Sequence, residues 1–200
     1  AVAMTRSLLK EDPFIKERKD HNTYLIIYLG ESKTTFVIYS RNSILFTMDI
    51  DAADKDVTEK ISDELGVTNK EAEKKKKEYS KGSSKKMNTK VGRIIKDHFS
   101  RINEKKNEIL DFFNYKYEDR DPLDKILLCG SGANYTKIDS FLASDDIGTI
   151  KGDTLINLSH DKENFVKEVY NQKNPKNFSD PTLSLATPIG LALGDLSEKN

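Results

Sequence analysis

The chain has one cysteine and no tryptophan among its 200 residues, and 33 lysines and arginines balance 33 aspartates and glutamates. A single cysteine, Cys129 in the apolar run KILLC, excludes an internal disulfide and a cysteine-based metal site, and it favours a reducing compartment. Zero formal net charge offers no global attraction to nucleic acid or anionic lipid. No apolar run approaches the roughly 20 residues that span a bilayer. We therefore expect a cytoplasmic protein that does not bind nucleic acid.

Runs of β-branched and aromatic residues predict the strands of a mixed sheet. The first three runs form a meander whose first turn is GESK, and two further extended segments follow the long helical region. The predicted strands are 24–29, 34–39, 43–50, 125–129 and 149–158. Helical patterns with one apolar face lie between the third and fourth runs and after the fourth, so the predicted fold class is α/β.

Capping signals mark where two of the helices begin and end. Asp56 is predicted to cap a helix over 56–65 that Gly66 terminates, and Thr68 with Glu71 three residues later starts the next helix. Two shorter helices are predicted at 134–143 and 186–196. The last of these is rich in small residues, which suit close packing on the sheet.

The longest helical pattern runs from Val91 to about Phe113 and carries a broad apolar stripe. A heptad assignment would place His98 and Lys105 in the seam of a coiled coil. Because both side chains are polar, a helix packed inside the domain is favoured over a coiled coil.

The turn Gly130-Ser131-Gly132-Ala133 is the first candidate binding element. Without Cβ atoms its backbone can approach a flat or anionic ligand, and a helix following it would add free N–H groups. The same turn also occurs for steric reasons alone, so both interpretations stay open here. It matches neither GxGxxG nor GxxxxGK[ST], which leaves a Rossmann or P-loop assignment without support.

Carboxylates and histidines are the candidate metal ligands of this sequence. An alternative metal cluster would comprise Glu31, Asp49, Asp51, Asp54 and Asp56. Acidic residues at a strand-to-helix junction commonly cap the helix and complement its dipole, and this interpretation is favoured. The histidines, His21, His98 and His160, lack ligand spacing. We predict no metal ligand and no catalytic residue.

A basic run over residues 74–90 carries eight lysines and one glutamate. Such a run can meet acidic lipid head groups or nucleic acid phosphates. The favoured interpretation is a solvated tip of the smaller subdomain. Of the two functional options, nucleic acid is the weaker, because the chain is neutral overall and lacks aromatic stacking platforms.

Taken in order, these parts resemble the PilM family of actin-like proteins, which serve type IV pilus assembly and are related to FtsA and GspL. The most specific pieces are LGVTNKEAE, GSGA and ATPIGLAL, and the resemblance covers residues 1–196. It implies the second half of such a protein, an RNase H-like domain whose mixed sheet is covered by helices, plus a smaller α-rich subdomain.

The resemblance also implies domain boundaries. Residues 1–23 would be the end of a preceding helix and a linker, 24–67 with 114–200 the larger subdomain, and 68–113 the smaller one. The chain begins AVAMTRSLL, in a helical pattern and without methionine at position 1, so we expect a fragment of a longer protein.

In the family, ATP with Mg²⁺ binds in a cleft between two domains, and three elements of this half would reach it. The adenosine loop corresponds to Gly130, Ser131, Gly132 and Ala133, the nucleoside-contacting pair to Glu73 and Lys76, and the tip of the phosphate hairpin to Gly30 and Glu31. Tyr28 stands where the family has the aspartate that helps hold the metal or the attacking water, and Ala53-Asp54 replace a glycine pair. A neutral phenol supplies neither charge nor a base at neutral pH, so a degenerate cleft is expected.

The function implied is a cytoplasmic scaffold at the inner face of the cytoplasmic membrane, in a type IV pilus or related type II secretion platform. Its expected partners are the N-terminal tail of a PilN-like membrane protein and other platform proteins, through which it would be peripheral to the membrane. Three alternatives remain at this stage: an active actin-like ATPase, an FtsA-like polymer-forming protein, and an interaction domain without nucleotide.

Overall fold

The computed structural model describes residues 1–10, 22–80, 89–119, 121–157, 164 and 180–197. Its helices and strands are α1 (Val2–Leu8), β1 (Thr23–Leu29), β2 (Thr34–Ser40), β3 (Ser43–Ile50), α2 (Asp54–Leu65), α3 (Asn69–Ser80), α4 (Lys90–Lys116), β4 (Leu123–Cys129), α5 (Ile138–Phe141), β5 (Gly148–Lys151) and α6 (Ala186–Ser197). Short 3₁₀ helices lie at Ser131–Asn134 and Pro181–Leu185. Among these helices, none is long and apolar enough to cross a bilayer.

The five strands form one mixed sheet in the order β3-β2-β1-β4-β5. The β1–β2 and β2–β3 pairs are antiparallel, while β1–β4 and β4–β5 are parallel. This confirms the predicted fold class. In the parallel pair Tyr28 lies opposite Cys129, so β1 and β4 end at the same edge of the sheet.

Each face of the sheet has its own apolar core because successive side chains of a strand point to opposite faces. On β1, Leu25, Ile27 and Leu29 join the larger core, which α2, α3 and α4 cover. Ile26 faces the smaller core, which includes Met4 and Leu8 of α1 and Leu9 directly after it. The residues predicted to form a smaller subdomain thus share one core cluster with the sheet, and the division into subdomains stays a prediction.

The long helix α4 packs within the domain, and the prediction of a packed helix in preference to a coiled coil is confirmed. Its buried residues include Ile95, Phe99 and Ile102. Lys106 is also buried, and its ammonium group donates to the carbonyl oxygens of Leu142 and Ala143, at 3.2 and 2.6 Å. Burial lowers the pKa of Lys106. This lysine, which the sequence analysis did not single out, satisfies carbonyl groups at the end of α5.

Two of the predicted caps, at Gly66 and Thr68, are confirmed, and the predicted N-cap at Asp56 is wrong. Gly66 ends α2 in the left-handed conformation with φ 61°, and Thr68 and Glu71 exchange the hydrogen bonds of a capping box. Asp56, however, is not the N-cap, because α2 already begins at Asp54. The carboxylate of Asp56 instead accepts a hydrogen bond from the N–H of Ala53 at 2.9 Å.

Two predicted elements are much shorter in the structure. The helix expected at 134–143 is reduced to the four residues of α5, and the strand expected at 149–158 stops at Lys151. Tyr135, Ile138, Leu142 and Leu155 in these two segments are nevertheless buried. The residues predicted to be a linker at 11–21 and part of the basic run at 81–88 lie outside the described residues.

Small residues of α6 contact both the sheet, as predicted, and α1. Ala186 belongs to the smaller core with residues of the strands, whereas Gly190 faces α1. An added Cβ at Gly190 would overlap the backbone oxygen and carbon of Ala3 in α1. One turn later, an added Cβ at Gly194 would meet the guanidinium group of Arg6, at Nη1 and Cζ. Glycine at 190 therefore lets the two helix backbones touch.

We expect Gly190→Ala to destabilise the chain. Overpacking against rigid backbone costs up to about 3 kcal/mol, whereas alanine gains about 1 kcal/mol over glycine in a helix interior, so the free energy of unfolding should fall by about 2 kcal/mol. Urea unfolding measures the change. Gly194→Ala is the matched control on the same helix: since the side chain of Arg6 can move away, this variant should be as stable as the parent or slightly more so. Equal effects at both positions would contradict the proposed backbone contact.

Candidate nucleotide site

The candidate site lies where β1 and β4 end together. Gly130 has φ 88°, and an added Cβ there would overlap the backbone oxygen of Leu29. An added Cβ at Gly132 would lie 2.8 Å from the Cβ of Leu29. The turn that carries Gly130 and Gly132 thus packs directly on the residue before Gly30, and this packing alone is enough to require both glycines.

The turn itself is not the start of a long helix. Residues 131–134 form one 3₁₀ turn, in which Gly132 and Ala133 are buried and Ser131 is half-buried. The N–H of Gly130 donates to the carbonyl oxygen of Leu183 at 2.8 Å. The expectation that a helix dipole follows the turn is therefore wrong, because a single turn aligns too few peptide groups.

The tip of the first hairpin is bonded to the start of α2. The carbonyl oxygens of Gly30 and Glu31 accept hydrogen bonds from the N–H groups of Asp54 and Lys55, at 3.0 and 3.1 Å. Helix N-termini bind anions through such N–H groups. Here carbonyl groups of the hairpin already take them, which leaves less of this helix end for a phosphate.

Lys76 and Glu73, the predicted nucleoside contacts, belong to a buried cluster. The ammonium group of Lys76 lies 2.8 Å from Oδ2 of Asp54, 2.7 Å from Oε2 of Glu73 and 2.8 Å from Oγ1 of Thr58. The Lys76 side chain is 7% exposed. We call Asp54, Thr58, Glu73, Lys76 and Tyr135 the Asp54 cluster.

Tyr135 connects this cluster to the glycine turn. Its hydroxyl donates to Oδ1 of Asp54 at 2.7 Å, and its ring packs edge-on against Phe99 with 5.0 Å between ring centroids. Burial, followed by the charge of Asp54 and the hydrogen bond to it, raises the pKa of Tyr135 well above its ordinary value. Tyr135 is therefore a neutral donor. Tyr135 is not among the predicted site residues, and the one indication in the sequence is its position directly after GSGAN.

Glu73 is the more accessible of the two carboxylates in the cluster: its side chain is 36% exposed, and that of Asp54 17%. Burial acts to raise its pKa, but hydrogen bonds from Lys76 and Thr58 and the charge of Lys76 outweigh burial, so the pKa is lowered. The carboxylate is ionised at neutral pH and already shares its charge with Lys76.

Tyr28 is half-buried on the face of the sheet that carries the smaller core, opposite the face of Leu29. An added Cβ at Gly30 would lie 2.7 Å from Cε1 of Tyr28, so the ring covers the hairpin tip. Burial, together with Cys129 and Glu31, raises the pKa of Tyr28. The phenol is neutral near pH 7 and supplies no charge to a metal.

Magnesium fits these residues poorly. Asp49 accepts hydrogen bonds from Lys33 and Thr35, while Asp54 and Asp56 are bonded within α2 and its neighbours. Over the ranges that the structure describes, no three acidic, histidine or cysteine side chains converge as a metal site. His98 packs against Phe99, and burial lowers its pKa.

The structure thus brings the predicted residues into two adjoining groups. Gly30 and Glu31 directly follow Leu29, on which the turn of residues 130–133 packs, and Glu73 with Lys76 is connected to that turn through Asp54 and Tyr135. The ammonium group of Lys76 in this arrangement is already paired with Asp54 and Glu73. The role of the predicted residues in ligand binding stays a prediction.

A family model described as type IV pilus assembly protein PilM matches residues 3–195 of the chain. Among solved structures, a PilM-PilN type IV pilus biogenesis complex gives a TM-score of 0.71 at 17% identity, over 96% of this chain and 50% of that chain. MreB 5 of Spiroplasma citri bound to AMPPNP gives 0.64 at 15% identity, over 99% and 58%. ParM of Bacillus thuringiensis with ATP gives 0.52 at 14% identity, over 100% and 54%.

A search of curated proteins finds no match. The structural likenesses show an actin-like fold, and the chain spans about half the length of the solved chains that it matches. The predicted resemblance is confirmed by the family match.

The lowered pKa of Glu73 predicts a pH-dependent contribution to stability. A lowered carboxyl pKa stabilises the folded state above the ordinary value of 4.5 and loses that contribution as the pH falls through the folded-state value. We expect Glu73→Gln to lower the free energy of unfolding at pH 7 by about 1 kcal/mol, allowing for solvent screening.

Urea unfolding across the acid range measures this effect. The difference between parent and Glu73→Gln should shrink as the pH falls below 4.5. Glu59→Gln, which changes an exposed carboxylate on α2, serves as the control and should match the parent throughout. A difference for Glu73→Gln that is independent of pH would contradict the ionised pairing with Lys76.

Proposed function

The chain belongs to the PilM family of type IV pilus assembly proteins, and on that premise we propose that it is part of a cytoplasmic scaffold in an inner-membrane assembly platform. The family match over residues 3–195 is the observation that carries the proposal. The protein would lie at the inner face of the cytoplasmic membrane and join it through partners. A related type II secretion platform is the other setting to which the same role applies.

The proposed partner is the N-terminal tail of a PilN-like membrane protein. Support comes from the likeness to one half of a chain in a PilM-PilN complex. Because only half of that chain is matched, we assign no partner-binding residue to this chain. The scaffold role requires a stable fold, and the two apolar cores of the sheet supply it.

The proposed scaffold does not hydrolyse ATP. Hydrolysis depends on neutralising the charge that develops on the transferred phosphoryl group. Tyr28 provides no carboxylate for a metal, and the charge of Lys76 is already shared by Asp54 and Glu73. A bound nucleotide would then be a structural ligand.

An active actin-like ATPase is the second candidate. The observation in its favour is that similar folds have been solved with nucleotide: MreB 5 with AMPPNP and ParM with ATP. At 15% and 14% identity these structures share the fold with this chain. The two candidates differ in whether ATP is turned over.

We expect no ATP turnover above a protein-free blank when the whole protein is assayed with Mg²⁺. A fluorescent ATP analogue titrated in parallel reports binding separately from hydrolysis. Tyr28→Phe is the control, since a phenol that takes no part in chemistry can lose its hydroxyl without effect. Turnover by the parent that is reduced in Tyr28→Phe would contradict the proposal and favour the ATPase.

We also expect the whole protein to bind a peptide with the N-terminal sequence of the PilN-like protein of its own organism. Isothermal titration measures the affinity, with a scrambled peptide of the same composition as control. If the protein is a static scaffold, Mg²⁺–ATP should leave this affinity unchanged. Absence of binding to the peptide, or equal binding to the scrambled one, would contradict the assigned partner.

A further inference from the structure

Two hydrogen-bond donors from separate parts of the chain converge on the carboxylate of Asp54. The ammonium group of Lys76, on α3, lies 2.8 Å from Oδ2, and the hydroxyl of Tyr135, which follows the glycine turn, lies 2.7 Å from Oδ1. Asp54 itself is the first residue of α2. A cation and a neutral donor that each address one oxygen of a carboxylate make the arrangement of an anion-binding site.

We propose that Lys76 and Tyr135 form an anion site which Asp54 occupies from within the chain. Asp54 is then a built-in ligand that excludes a carboxylate or phosphate group of an external molecule from this wall of the candidate cleft. The inference depends only on the geometry of the Asp54 cluster and stands apart from the scaffold role.

The charge of the cluster supports this assignment. Within the cluster, Asp54 and Glu73 carry two negative charges against the single positive charge of Lys76, and the exposed Lys77 outside the cluster lies 3.5 Å from Oε1 of Glu73. The Asp54 side chain is 17% exposed and that of Lys76 7%, which reduces screening by solvent. A second anion would meet a filled site and repulsion.

Removal of Asp54 should make the site accept a free anion. Asp54→Ala deletes one carboxylate and leaves room for formate, which has the same charge and nearly the same shape. Asp54→Ala leaves Tyr135 without its acceptor and leaves Lys76 with Glu73 as its remaining carboxylate partner. Loss of one member of a buried, hydrogen-bonded group of charges is destabilising. Formate can restore the missing partner for Lys76 and Tyr135.

Thermal unfolding of the chain in sodium formate and in sodium chloride of equal ionic strength tests the proposal. We expect Asp54→Ala to lower the melting temperature by about 10 °C in chloride. Formate at about ten times its dissociation constant should then raise it by about 3 °C. The parent should show no rise specific to formate.

Asp49→Ala is the matched control, since Asp49 also pairs with a lysine, Lys33, but both side chains are about half exposed. It should change the melting temperature little and show no formate effect. The double variant Asp54→Ala/Lys76→Met lacks the cation and should lose the response to formate. Equal effects of formate and chloride on Asp54→Ala, or a formate response that persists in the double variant, would overturn the proposal.

Asp54→Asn provides a second measurement that does not need a cavity. Asparagine keeps the volume of the side chain and an acceptor for Tyr135 but removes the charge that faces Lys76. We expect its melting temperature to lie between those of the parent and Asp54→Ala, without a formate response, because the side chain still fills the site. An Asn variant as stable as the parent would overturn the proposal, since the negative charge of Asp54 would then not be what Lys76 and Tyr135 bind.

Discussion

The parallel pairing of β1 with β4 is the constraint from which the rest of the site follows. It ends both strands at one edge of the sheet and sets Leu29 against the turn that follows Cys129. Gly130 and Gly132 permit this approach because any Cβ there would collide with Leu29. Once the turn is fixed, Tyr135 is carried to the first residue of α2, and the glycine turn, the hairpin and α3 become one connected wall.

Within that wall, the Asp54 cluster acts mainly to position elements. A buried ion pair contributes little net stability, because desolvation offsets much of the attraction, yet loss of one partner is costly. Asp54, Lys76 and Tyr135 come from α2, from α3 and from the segment after β4. Their mutual bonds therefore hold three elements in register, in a place where the apolar core alone specifies orientation less strictly.

Most of the fold could be predicted from the sequence because its signals are local. Strand alternation, the apolar stripe of α4 and the caps at Gly66 and Thr68 act over a few residues. The short α5 could not be predicted, since Lys106, distant in sequence, satisfies the carbonyl groups at its end. The resemblance located Glu73 and Lys76, but their pairing with Asp54 depends on how α2 packs against α3, which no local pattern records.

Lys76 is paired with a carboxylate of the same chain, Asp54, and this pairing bears on whether a ligand could switch the conformation of the chain. A ligand shifts a conformational equilibrium only through different affinities for the two states, and its effect varies with concentration. Asp54 is part of the chain, so its pairing with Lys76 does not vary with the concentration of any ligand that leaves this pair intact. A pairing of this kind fits the proposed scaffold better than the alternative of a nucleotide-driven switch.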